Sequence, residues 1–144
     1  MAIDELDAFT LRLLFDTAAV VLIWLVQLVI YPAFLHFQLE TFRVWHPIYT
    51  RRVTFVVMPI MLGQLAVYAY LFLNATGWDV GFNLALTLGA WMITFFQAIP
   101  LHSALDDTDD HLALSAKLVA LNWWRTALWT TIWLVSLLVF FTSA

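Results

Sequence analysis

Cysteine is missing from the chain altogether, lysine occurs once, and lysine and arginine together number six. Without cysteine there is no disulfide, no thiolate metal site and no thiol nucleophile, so the sequence carries no mark of its redox compartment. The scarcity of basic residues, with a formal net charge of -4, removes nucleic acid as a partner, because phosphate binding requires clustered Lys and Arg. Charge of either sign is sparse. Charged residues make up 11% of the 144 and hydrophobic ones 64%, against about 25% and roughly 45–50% in a soluble domain. A chain of this composition cannot cover its apolar surface with polar side chains.

What it has instead is long hydrophobic runs. Four segments, Leu13 to Leu35, Val53 to Leu73, Val80 to Leu101 and Leu118 to Phe141, each reach the roughly 20 residues needed to cross a bilayer as a helix. The expectation is an all-α fold: a single-domain four-helix transmembrane bundle covering residues 1–144. The N-terminus, Met1 to Asp7, is acidic where a secretory signal would be basic, and the run behind it exceeds a signal's apolar region, so the first span is read as retained. The breaker-rich turn Asn74 to Asp79 makes spans two and three an antiparallel hairpin.

The two connections at the opposite end are longer. Between spans one and two, Phe37, Phe42, Trp45 and Tyr49 recur among Gln38, Glu40 and Arg43, which predicts an interfacial amphipathic helix closed by Pro47. Between spans three and four, Asp106, Asp107, Asp109 and Asp110 precede a helix whose start they would cap. A calcium loop is the sharper alternative, but the spaced ligands and turning glycine of that motif are missing. Arg43, Arg51, Arg52, Lys117 and Arg125 fall at this end and only Arg12 at the other. The positive-inside bias therefore places both termini outside the cytoplasm, in a bacterial-type inner membrane.

Polar groups within spans pair across helices or mark a functional path. Gln27, Gln64 and Gln97 are expected in the bundle interior, with Asn122; as interhelical glue each contributes about 1 kcal/mol or less. All four histidines sit at the loop end. His36 and His111 border aqueous loops, where a solvated imidazole needs no function. His46 precedes Pro47 and His102 follows Pro100, so both sit at bent backbone near the bundle mouth, where membrane polar sites favour broken helix ends. Imidazole ligates metals and shuttles protons, which makes His46 and His102 the candidate metal ligands as well as candidate catalytic groups. Arg125, with Asn122 three residues before it on the same face, would hold an anionic or carbonyl group beside them; the plainer alternative is that the arginine snorkels to the interface.

Several chemistries lack their parts. Asp16, at the outer edge of the first span, is the one acidic residue within the runs, too few for a carboxylate-bridged di-iron site. No lysine lies mid-span for a Schiff base, and no serine pairs with a base in a triad. Two histidines deep in facing spans, as would bracket a haem, are missing, while a haem at the mouth stays open.

Pro100-Leu101-His102-Ser103-Ala104-Leu105 and Leu121-Asn122-Trp123-Trp124-Arg125-Thr126, with Tyr31-Pro32 and Met58-Pro59 more loosely, resemble the anthrone-oxygenase-like family of small four-span membrane proteins. The chain departs from that pattern at His102, where the family is expected to carry asparagine. The resemblance implies a membrane oxidoreductase acting on an aromatic or quinone-like compound, with His102, Asn122 and Arg125 at its site and no cofactor specified. Two readings follow. One is an oxygenase or related oxidoreductase whose apolar small-molecule substrate arrives from the lipid and meets His46, His102, Asn122 and Arg125. The other is a non-catalytic membrane component, either a small-ligand carrier or an accessory subunit in a homo-oligomer or larger complex.

Overall fold

The structure is a computed structural model that describes residues 5–75 and 77–143, with side chains for residues 8–75 and 77–142. Most of the acidic N-terminal segment and Thr76 of the turn lie outside the described residues or their side chains. Every element is helical: α1 (Glu5–Leu25), a π-turn (Val26–Ile30), the short α2 (Tyr31–Ala33) ending in a 3₁₀ turn (Phe34–His36), α3 (Leu39–Asn74), α4 (Trp78–Ile93), a second π-turn (Thr94–Ala98), α5 (Ile99–Asp107) and α6 (His111–Ser143). They join into four continuous rods, Ala8–His36, Leu39–Asn74, Trp78–Asp107 and His111–Thr142, each long and apolar enough to cross a membrane. The protein is an integral membrane four-helix bundle.

The rods form a closed ring. α1 packs on α3 and α6, and α4 packs on the same two helices, as antiparallel neighbours with short connections must. The outer surface is apolar: Val21, Phe55, Leu73, Phe96, Trp124 and Phe141 are exposed, which in lipid costs nothing. Polarity is turned inward, with Arg12, Asp16, Gln27, His46, Gln64, Asn83, Asn122 and Arg125 all buried. Close approach of α1 to α3 depends on Gly63, where a Cβ would fall 2.2 Å from the Phe15 ring.

One expectation is corrected. The aromatic stretch before span two is not a separate interfacial helix closed by Pro47. It is the opening of α3, which runs unbroken through Pro47 and Pro59 for 36 residues, about 54 Å at 1.5 Å per residue. A rod of that length exceeds the roughly 30 Å hydrocarbon core, so its first turns extend the span beyond the apolar layer. Its ring-rich face also covers the bundle end: Phe42 is fully buried, and the Phe34 ring meets those of Phe42, Trp45 and Tyr49 edge-on. Packing on one side holds the helix together where proline removes a single hydrogen bond.

Prolines 32 and 100 act differently. Each follows a π-turn, residues 26–30 and 94–98 respectively. A proline ring clashes with the carbonyl four residues earlier, and the wider turn makes room for it. The extra residue also rotates the helix beyond it by about 100° relative to an unbroken α-helix, so Gln27 and Tyr31, four apart, address different neighbours.

Candidate functional site

α5 carries His102 and Asp106 four residues apart, hence on one face. Opposite them α3 presents His46, which is fully buried. His46 Nδ1 lies 2.6 Å from Asp106 Oδ1, and His46 Nε2 lies 3.0 Å from His102 Nδ1. The chain continues from His102 Nε2 to the Tyr31 hydroxyl at 2.9 Å. An ionised carboxylate can only accept, which sets the direction of every bond when both rings are neutral. His46 donates from Nδ1 to Asp106, His102 donates from Nδ1 to His46 Nε2, and Tyr31 donates to His102 Nε2. The Asp106 side chain is 36% exposed. Four residues thus connect an aqueous surface to the interior.

The interior end of that chain opens on a cavity of about 170 Å³ between the first three spans, reaching α6 at Arg125 and Trp129. Its walls are mostly apolar, including Ala19, Ile23, Val26, Met61, Trp91 and Ala98; Tyr31, Tyr49, Thr54, Thr94, His102 and Arg125 bring polar groups to it. The side between Thr54 and Met58 of α3 and Phe95 and Ile99 of the third rod includes exposed residues, so the cavity opens sideways on the apolar outer surface of the bundle.

Arg125 is 7% exposed. Its Nη1 donates to Asn122 Oδ1 at 3.1 Å, its guanidinium carbon stands 5.1 Å from the centre of the Trp129 ring, and its Nε has no hydrogen-bond partner. The ion pairs among the described residues join Arg12 to Asp79, Arg43 to Asp109 and His46 to Asp106, and none includes Arg125. Asn122 is held in turn by donating to Gln27 Oε1 at 2.8 Å, while Gln27 Nε2 donates to the Val119 carbonyl at 3.2 Å. Asn122 therefore fixes the arginine and does not line the main cavity.

The convergence expected of His46 and His102 is present, and His102 and Arg125 share the cavity. His46 stands behind His102. All four nitrogens of the two rings are hydrogen-bonded, an arrangement suited to passing protons along a line, and no group of three metal-ligating side chains occurs among the described residues. Gln27 and Gln64 are interior as expected, and Gln97 is half-buried against Asn122 and Arg125. Asp110 caps α6, accepting from the Ala113 amide at 3.1 Å. Two readings change. His111 is buried, not solvated: its Nε2 lies 2.9 Å from the Phe37 carbonyl, and its ring lies 4.8 Å from that of Phe42. Asp106 is more than a residue of an aqueous turn, because the face it shares with His102 points at His46.

A second polar cluster, at the end where the termini lie, escaped the sequence reading. Arg12 pairs with Asp79 and donates from Nε to Ser136 at 2.9 Å. Asp16 accepts from Gln64 at 2.7 Å, Tyr68 at 2.6 Å and Ser136 at 2.5 Å, and Asn83 donates to Tyr68 at 2.9 Å. Trp129 Nε1 donates to Gln64 Oε1 at 3.0 Å and so stands between the clusters. The available signal was the pairing of Arg12 with Asp16, and of Asp79 with Asn83, at four-residue spacing on rods that meet at one end.

Compared with family models, with curated proteins and with solved structures, the chain matches none.

Proposed function

We propose that this protein binds a lipid-soluble molecule carrying one oxygen-bearing aromatic ring, of phenol or quinone type, and acts on it as a membrane oxidoreductase. The observation that carries the reading is Arg125: a buried cation with no carboxylate partner among the described residues, facing an apolar cavity. A buried charge is costly unless paired, and an oxyanion or carbonyl in the cavity would supply the missing partner. Size supports a single ring, since an apolar cavity of about 150 Å³ holds benzene. An apolar tail would leave through the lateral opening into lipid. His102 and Tyr31 then stand beside the ring oxygen, where proton transfer accompanies the redox chemistry of such rings. The resemblance to anthrone-oxygenase-like proteins points to the same substrate class. A carrier that holds the ring unchanged would use the same cavity and Arg125 but would have no use for the histidine chain.

The test is binding of a short-chain benzoquinone to the detergent-purified protein, followed by quenching of tryptophan fluorescence, since Trp91 and Trp129 line the cavity. Ala98→Phe should fill the cavity and Arg125→Gln remove its cation, each weakening binding at least about tenfold. Wild-type protein that binds no such ring, or equal binding by all three proteins, would refute the reading.

Orientation belongs to the same proposal. With Arg12 and Arg125 buried, the remaining basic residues Arg43, Arg51, Arg52 and Lys117 all lie at the histidine end, so that end faces the cytoplasm of a bacterial-type inner membrane. In intact cells an impermeant thiol reagent should label Asn74→Cys and spare Asp107→Cys. The reverse pattern would invert the assignment.

A further inference from the structure

We infer that Tyr31, His102, His46 and Asp106 form a proton exit that removes the hydroxyl proton of a phenol-type ligand in the cavity and delivers it to water at the histidine end. The inference rests on the binding reading above and adds to it what happens to the ligand's proton. Tyr31 and His102 both line the cavity and are hydrogen-bonded to each other. His46 and Asp106 do not touch it and act only through His102.

The step balances without a further reactant. The ligand O–H bond breaks as its proton passes to the Tyr31 oxygen, while the Tyr31 proton passes to His102 Nε2. His102 gives its Nδ1 proton to His46 Nε2, and His46 gives its Nδ1 proton to Asp106 Oδ1. Both imidazoles end as neutral rings of the other tautomer, Asp106 ends protonated, and the ligand remains as an oxyanion beside Arg125. Asp106 then loses the proton to the water it meets through its exposed side. Toward the other end, the Trp129 indole, which lines the cavity, donates to Gln64 Oε1 and offers no acceptor that could take a proton onward.

The charged groups near the chain fit this direction. Arg125 lies within electrostatic reach of Tyr31 and His102. His111 is kept apart from His46 by the Phe42 ring, 4.8 Å from each, and Arg43 is engaged with Asp109.

An alkyl-substituted 4-nitrophenol serves as probe, because its phenolate is coloured and its phenol is not. Purified wild-type protein in weakly buffered detergent, held below the probe's own pKa, should bind it, turn it to phenolate and release about one proton per site to a pH indicator. Asp106→Asn, at a partly exposed position, should bind the probe within about threefold of wild type and, after rapid mixing, form phenolate and release its proton at least about tenfold more slowly. Asp106→Glu should restore both. His46→Gln should behave as Asp106→Asn, with circular dichroism checking its fold. Wild-type protein that binds the probe without ionising it, or Asp106→Asn that ionises it as fast as wild type does, overturns the relay while the binding site stands. Failure of wild type to bind the probe, or the benzoquinone, at all removes the binding reading beneath it.

Discussion

At the terminal end of the bundle Arg12 meets Asp79, whereas at the histidine end Arg125 meets a cavity. Both arginines are buried, both lie near an aromatic ring, Tyr68 for one and Trp129 for the other, and both sit one helical turn from a polar partner on their own helix. Around Arg12 the polar groups close on one another: Asp16 collects three donors, and the cavity at Arg125 is lined by none of this cluster. Each guanidinium keeps one nitrogen unpartnered, but Arg125 has no carboxylate beside it among the described residues, and its surroundings stay open, with a histidine chain leading away to water. A closed cluster of charges in a membrane fastens helices. An open one holds binding energy in reserve for something else.

The sharpest way to break this contrast is to remove the two cations separately. Arg12→Met leaves Asp79 without its partner inside the bundle and should destabilise the protein by about 3–5 kcal/mol, the cost of breaking a buried pair. Arg125→Met abandons only the Asn122 amide oxygen and should cost about 1 kcal/mol. Unfolding of the two variants in mixed detergent would compare them, and equal losses would mean that Arg125 is as structural as Arg12.

A smaller effect sharpens the picture within the histidine end. His111→Ala should cost about 1–2 kcal/mol through loss of its contact with the Phe37 carbonyl and its packing on Phe42, whereas His36→Ala, at an exposed ring, should leave stability unchanged. Thermal melts in detergent would show it. A neutral His111→Ala would return that ring to the solvated role expected from its place next to a loop.

Hydropathy and helix length made the membrane bundle legible from residue order, as did the hairpin at Asn74 to Asp79, the cap at Asp110 and the interior amides Gln27 and Gln64, because each depends on neighbours within a turn or two. The nearness of His46 and His102 was legible as well, since both sit beside prolines at the same end. Three matters were not. Continuity of α3 through Pro47 depends on the ring packing that Phe34 supplies from another rod. The role of Asp106 depends on α5 aiming it at His46, and burial of Arg12 depends on three rods meeting around it.

Residue order alone determined that this chain enters a membrane as four helices, because no arrangement in water could hide so much apolar surface and only helices satisfy their own backbone in lipid. It could not decide which polar groups would be used up and which left open. That depended on the π-turns before Pro32 and Pro100, which set the faces of Tyr31 and His102, and on how the rods rotate against one another. A hydrogen bond forms or fails over a fraction of an ångström, and such distances between residues 60 or 90 positions apart exist only once the bundle has closed.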